Sequence, residues 1–351
     1  MKLSAVILCF SVLALYGCDS EEPPYTPETP TTPYLEQPHS YFLGLKGNIR
    51  QIEERTYISI DGEWETSGIC LTQFTADGNI SFYDPTGLSL ENGIYKQPNK
   101  RWIGVEMNQF GYEYAPNGNM SKATITSVGG EVNTYLLSYG THSRYIPLPF
   151  QVGNMDFTVV KGLTAIQSDQ SGFTYDIQDT YVKYTLVTNV WRDDTWLTET
   201  TYSYNEGAVL PASCTVTETS EREGEVSREH TVYTFSEDGR LTASQTERYE
   251  YGTLIETENR QYHPTLPHKV TQREIVHSNG DCSTWDYRYE EHGWQSSITR
   301  TDADDTYTEL YLYPRIDAHG NWYEGHFTWN EHVNLNHSND DIKTLRALEY
   351  Y

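Results

Sequence analysis

Tyr233-Thr234-Phe235-Ser236-Glu237-Asp238-Gly239-Arg240-Leu241-Thr242 decides how this chain folds. Two aromatic residues stand two apart, three residues follow, and a glycine comes next. Residues i and i+2 of a strand share one face, so Tyr233 and Phe235 stack on the same side of a sheet. Asp238-Gly239 then offers the positive φ of a tight hairpin turn, and Leu241 opens the returning strand. The unit is a β-hairpin.

The same spelling recurs outward in both directions. Tyr112-Glu113-Tyr114 runs to Gly118, and Tyr287-Arg288-Tyr289 runs to Gly293. Looser copies end at Gly78, Gly207 and Gly320, while Tyr139 to Thr174 carries none. The glycines lie 40, 89, 32, 54 and 27 residues apart, so this is a repeat of hairpins without a fixed period. Between them the apolar period is two. Thr180 to Val190, Thr195 to Tyr204, Arg228 to Phe235, Lys269 to His277, Ser283 to Tyr289 and Thr306 to Tyr313 are rich in Thr, Val, Tyr and Trp, as pleated strands prefer. Ile342, Leu345 and Leu348 hint at a helix, but Arg346 to Tyr351 reads equally as a closing strand. Thr253 to Tyr262 is polar on both faces, which suits a sheet with one wet face or a shell around a wide interior. The predicted fold is all-β: a long antiparallel meander of hairpin repeats forming a curled or barrel-like sheet.

Composition narrows the function classes. With 24 Lys plus Arg against 50 Asp plus Glu, the formal charge is −26, which argues against a nucleic-acid partner, since phosphate is held by clustered cations. It argues equally against docking on anionic lipid through basic patches. A mean hydropathy of −0.65 excludes a polytopic helical membrane protein.

The start of the chain reads as an export signal. Leu3 to Tyr16 is an apolar run of fourteen residues behind Lys2. A comfortable bilayer span takes about 20 residues, so the run fits the core of a signal peptide instead. It ends Leu15-Tyr16-Gly17-Cys18, which resembles the bacterial lipoprotein signal. That resemblance implies cleavage before Cys18, acylation of its sulfur and new amino terminus, and a membrane partner reached through the lipid. Asp19-Ser20-Glu21-Glu22 resembles the export signal of Bacteroidetes surface lipoproteins. It implies the outer membrane, lipid-anchored and facing outward, with the periplasmic face as the alternative. Pro23 to Pro38 holds six prolines and reads as an extended tether. The expected organisation is a signal peptide over 1–17, an acidic, Pro-rich tether over 18–38, a β region over 39–150, and a repeat β region over 151–351 that can be continuous with it.

The body resembles the YD-repeat (RHS-like) lipoproteins of Bacteroidetes. Leu45 to Tyr57 looks like their opening strand, Phe235 to Leu241 like their internal repeat, and Asp317-Ala318-His319-Gly320-Asn321-Trp322 with Arg346 to Tyr351 like their last repeat and terminal strand. The resemblance implies a coiling sheet and transfers no catalytic residue.

Motifs that carry chemistry are scarce. There is no GxSxG nucleophile elbow, no HExxH and no Cys/His zinc spacing. After Cys9 and Cys18, the remaining Cys70, Cys214 and Cys282 sit in alternating sequence, as half-buried strand cysteines do. His319, His326, His332 and His337 match no ligand ladder. Asp302-Ala303-Asp304-Asp305, Arg192-Asp193-Asp194 and Asn339-Asp340-Asp341 are acidic turns without a calcium-loop pattern. No catalytic, cofactor or metal site is therefore assigned. The eight tryptophans, Trp64, Trp102, Trp191, Trp196, Trp285, Trp294, Trp322 and Trp329, are candidates for a sugar-stacking platform, with cross-sheet packing as the ordinary alternative. The functional expectation is a non-enzymatic envelope module binding a glycan or protein. The alternative is a carbohydrate hydrolase with a carboxylate pair on a concave face beside a Trp.

Overall fold

In a computed structural model, the residues described are 37–60, 63–84, 89–91, 94–96, 108–127, 130–139, 163–169, 172–191, 194–208, 210–266, 269–303, 305–330 and 342–351. One turn of helix, α1 (His39–Phe42), leads into strands. The first are β1 (Ile49–Ile60), β2 (Glu63–Phe74), β3 (Ile80–Asp84), β4 (Ser89–Glu91), β5 (Ile94–Lys96), β6 (Asn108–Tyr114), β7 (Met120–Ser127) and β8 (Val132–Tyr139). Then come β9 (Leu163–Ser168), β10 (Thr174–Gln178), β11 (Tyr181–Trp191), β12 (Asp194–Ser203), β13 (Ser213–Ser220), β14 (Gly224–Phe235) and β15 (Leu241–Glu250). The last are β16 (Thr253–Tyr262), β17 (Val270–His277), β18 (Cys282–Tyr289), β19 (Gln295–Thr301), β20 (Thr306–Ile316), β21 (Trp322–Asn330) and β22 (Ile342–Tyr350). The ambiguous C-terminal stretch is thus a strand.

Apart from the small β4–β5 hairpin, these strands form one 20-stranded antiparallel sheet. Neighbours in sequence are neighbours in space along almost the whole chain. The exception sets the shape: β1 pairs with β2 on one side and with the last strand, β22, on the other. The two ends of the meander are thereby sewn together. The sheet closes into a nearly complete barrel whose two edges, β9 and β10, are consecutive in the chain and share no described ladder.

The repeated hairpin has one construction. In the turns 75–79, 115–119, 236–240, 290–294 and 317–321, the fourth residue is a glycine whose N–H donates to the first carbonyl, and the first N–H donates to the fifth carbonyl. Each glycine has φ between +80° and +87°. The ladder slips by one residue just before every one of these turns, at Phe74, Tyr114, Phe235, Tyr289 and Ile316. This is a type I turn closed by a glycine bulge. In four of the five, the first side chain also accepts the fifth N–H: Thr75, Ser236, Glu290 and Asp317. The paired aromatics share a face as expected, with the Tyr233 and Phe235 rings 6.1 Å apart. The same hydrogen bonds close 127–131 and 277–281, where no aromatic pair precedes the turn. The copy ending at Gly207 differs: its φ is +73°, but the next strand starts only at Ser213.

Alternation separates two walls. Ser244, Thr246, Glu258, Tyr262 and Ile275 are buried, while Gln245, Gln261 and Gln272 are exposed. Registers carry that alternation around the barrel. Toward the N-terminal half the inner wall is apolar, with Ile49, Ile52, Cys70, Phe74, Tyr83, Phe110, Met120, Tyr135 and Ile166 in one cluster. Val182 and Tyr204 join it from beyond the β9/β10 opening, so the interior there is packed across. Along β14 to β20 the inner wall is charged and aromatic instead. β16 has one wet face, as expected, with Gln261 exposed on it; its acidic side points inward, and Glu258 is 1% exposed.

Candidate functional site

Registers place three inner rows side by side on β14 to β20. Glu229, Arg248, Glu256 and His277 form one row; Thr231, Thr246, Glu258 and Ile275 the next; Arg260, Arg273, Trp285, Arg300 and Tyr307 the third. Glu258 is the hub. It accepts from Arg248 at 2.7 Å, Arg260 at 2.7 Å and Arg273 at 2.5 Å. Arg248 also bonds Glu229 at 2.8 Å and pairs with Glu256. Burial alone would raise the Glu258 carboxyl, but the Arg260 and Arg273 charges and hydrogen bonds outweigh it and bring it down to about 2. Burial works against the Arg248 cation, yet Glu229 and Glu258 hold it above its ordinary value.

The third row alternates cation and ring. Arg273 and Arg300 lie 4.7 Å and 5.0 Å from the Trp285 ring, and Arg300 lies 5.4 Å from Tyr307. Beside it, burial raises the Glu309 carboxyl, although Tyr311 donates to it at 2.7 Å and Arg300 opposes the shift. Two inner carboxyls are therefore pushed in opposite directions. Glu258, however, has both oxygens engaged by three guanidinium groups, which hold it in the ion-pair network.

Further round, at the seam, Arg346 donates to Glu54 at 2.7 Å, both side chains under 10% exposed, and stacks 3.4 Å over Trp322. Trp322 meets Tyr313 at 5.3 Å, Tyr313 meets Trp294 at 5.0 Å, and Trp294 stacks on His292 at 4.7 Å. Lys269 completes this corner. Burial, then repulsion from Arg346, lowers its ammonium to about 8.

The outer wall has different chemistry. Gln245, Asn259, Glu274 and Thr284 form one cross-strand row, and Gln261, Gln272, Asp286, Thr299 and Thr308 another. Gln245 donates to Asn259 and Asn259 to Glu274, each at 2.9 Å. A shallow depression of about 450 Å³ opens over Thr234, Gln245, Asn259, Gln261, Gln272 and Glu274.

The sequence-predicted residues are scattered rather than gathered. Cys18, Trp102, His332, His337 and Asn339-Asp340-Asp341 lie outside the described residues, as do Arg192, Asp193 and Asp304. Cys70 and Cys214 are buried, Cys282 is exposed, and all three are free thiols. Asp194 is buried and accepts from Ser220 at 2.7 Å; Asp302 accepts from Arg300 at 3.0 Å. His319 stacks on Tyr350, and His326 meets Glu324 at 2.8 Å. Among the described residues no cluster of His, Cys, Asp or Glu could hold a metal. Trp294 and Trp322 are buried in the aromatic row, Trp285 lies between arginines, and Trp64 is 46% exposed on a separate strand, so these four form no common platform. The Glu258 hub escaped sequence reading. Its signal was Glu256, Glu258 and Arg260 on one face of a strand, but the partners come from β15 and β17.

No protein family matches the chain, and no curated protein matches it. Among solved structures, a porin-like protein from Bacteroides uniformis is similar at 11% identity over 87% of this chain and 98% of that one, with a TM-score of 0.37. A porin-like protein from Bacteroides vulgatus is similar at 8% identity over 74% and 98%, with a TM-score of 0.31. The Photorhabdus luminescens Tc holotoxin pore is similar at 14% identity over 82% of this chain and 15% of that one, with a TM-score of 0.21. Likenesses at this level do not establish a shared fold or function.

Proposed function

We propose that this chain is a non-enzymatic cell-envelope lipoprotein of the YD-repeat kind, anchored through Cys18 in the outer membrane and displayed at the cell surface as a binding or structural module. One observation carries the reading: interior charges are consumed by one another, while the outer wall offers amides, hydroxyls and carboxylates to water. A membrane-spanning barrel needs an outward apolar band about 25 Å tall, and two adjacent outward rows across β15 to β20 are Gln, Asn, Thr, Glu and Asp. That chemistry supports a shell held beside the membrane by its lipid. The amide-rich depression on β14 to β17 is where a glycan's hydroxyls would find matched donors and acceptors.

The test is mass spectrometry of the amino-terminal peptide from cells expressing the full chain, with protease shaving of intact cells. An acylated Cys18, lost in Cys18→Ala, and a body cleaved from outside are expected. An unmodified thiol at the end of an uncleaved leader would overturn the anchor; a body shielded from protease would overturn display. The hydrolase reading rests on Glu309, whose pKa is raised by burial as suits a proton donor. It lacks a second free carboxylate, because Glu258 is tied up.

A further inference from the structure

The outer depression on β14 to β17 carries a relay of hydrogen-bonded side chains. Gln245 gives an amide hydrogen to the Asn259 oxygen, and Asn259 gives one to the Glu274 carboxylate, each at 2.9 Å. The relay settles which way each amide faces. An amide has two N–H donors and an oxygen with two lone pairs, so Gln245 and Asn259 each keep a donor and an acceptor to offer outward. Two residues further along the strands, Gln261 and Gln272 form a parallel row, both exposed, and Gln272 reaches on to Asp286 at 3.4 Å. Side chains held in advance lose less rotamer freedom on binding than loose glutamines would.

The space has the proportions of a short chain molecule. Rows two residues apart are separated by roughly 7 Å at about 3.4 Å per residue. From β14 to β17 there are three strand spacings, roughly 14 Å at about 4.8 Å each. At the β14–β15 end, Val232, which is 44% exposed, and Ala243 line the depression and offer apolar surface to the C–H face of a ring. Charge narrows the class further. Glu274 lines the depression and Asp286 flanks it, while among the described residues no Lys or Arg lines it. An anionic sugar would meet two carboxylates with no cation to offset them.

We propose that this depression binds a neutral oligosaccharide lying across the strands, its hydroxyls bonded to the two amide rows. A single sugar covers too little of the space to offset the freedom it loses, so several linked units are required. The proposal rests on the reading of the outer wall as a glycan-facing surface and adds the chemical class of the glycan. It does not depend on the lipid: an unmodified Cys18 would leave the site standing, and loss of the site would leave the anchor standing.

The test is calorimetry of the purified full chain with cellotetraose, xylotetraose and maltotetraose as neutral probes, and with glucose and tetragalacturonate as controls. Saturable binding of at least one neutral tetrasaccharide is expected, with none of either control. Gln245→Ala combined with Gln272→Ala should weaken it about tenfold or more. Thr308→Ala, on the same outer wall at β20, should leave it unchanged. Both glutamines are exposed, so the double variant should keep the parent's Tm without sugar and lose the sugar-induced rise. Should the double variant fail to fold, the side-chain amide spectrum of the parent decides: the resonance missing from Gln272→Ala must be among those that move on adding the tetrasaccharide. Silence from all three neutral sugars, equal binding by the double variant, or binding of glucose or tetragalacturonate as tight as that of the neutral tetrasaccharide would each overturn the site.

Discussion

Glu258 shows how one buried carboxylate organises a wall. Three arginines converge on it, and replacing it strands them in an interior that no longer balances. Glu258→Ala should cost about 3–5 kcal/mol in urea denaturation. The pH dependence follows in sign. Its folded pKa, about 2, lies below the unfolded value, so its stabilisation is full above the ordinary carboxylate range and drains away as pH falls toward 2. An acid titration of Tm should show this loss in the parent and a shallower one in Glu258→Ala. Arg346 and Glu54 allow a sharper test, because both are buried. Either single truncation leaves the partner charged and unpaired, whereas Glu54→Leu with Arg346→Met should recover most of the loss, by about 2 kcal/mol or more in a double-mutant cycle.

At the level of the element, the hairpin is the unit, and its glycine was readable because the backbone demands it. Gly118 has φ +83° and open space around the Cβ an alanine would add, so Gly118→Ala should cost only the left-handed backbone, about 1–2 kcal/mol. Gly293 has φ +80° and Leu266 within 2.9 Å of that same position, so Gly293→Ala should cost more and Gly118→Asn less. Chemical denaturation of the three variants checks the order. The aromatic pair located three such turns in the sequence, and looser copies of the spelling located those ending at Gly78 and Gly320. The turns at 127–131 and 277–281 escaped because their bonding depends on a glycine and backbone geometry, with no aromatic pair to announce them.

The whole molecule depends on its seam. Asn321 accepts from the Lys46 N–H at 2.8 Å, donates to the Lys46 carbonyl at 2.7 Å, and donates to the Tyr350 hydroxyl at 3.0 Å. Tyr350 in turn donates to Asp317. The last hairpin turn thus clasps both the first and the last strand. Asn321→Ala should cost about 1–3 kcal/mol and speed amide exchange in β1 and β22 before the rest of the sheet. Deleting 342–351 leaves β1 and β21 as bare edges, and size-exclusion chromatography should then show multimers.

Period-two patterning and glycine-closed turns gave this protein its strands, its antiparallel order and its hairpin construction, because those are local: each is settled within about ten residues by side-chain alternation and backbone sterics. Closure was not local. That β1 lies against β22, that acidic β16 faces inward, and that Arg346 meets Glu54 all require residues far apart in the chain to share one interior. A strand polar on both faces does not say which face is buried. The partners across the ladder decide, since charges enter a protein interior only where opposite charges are waiting.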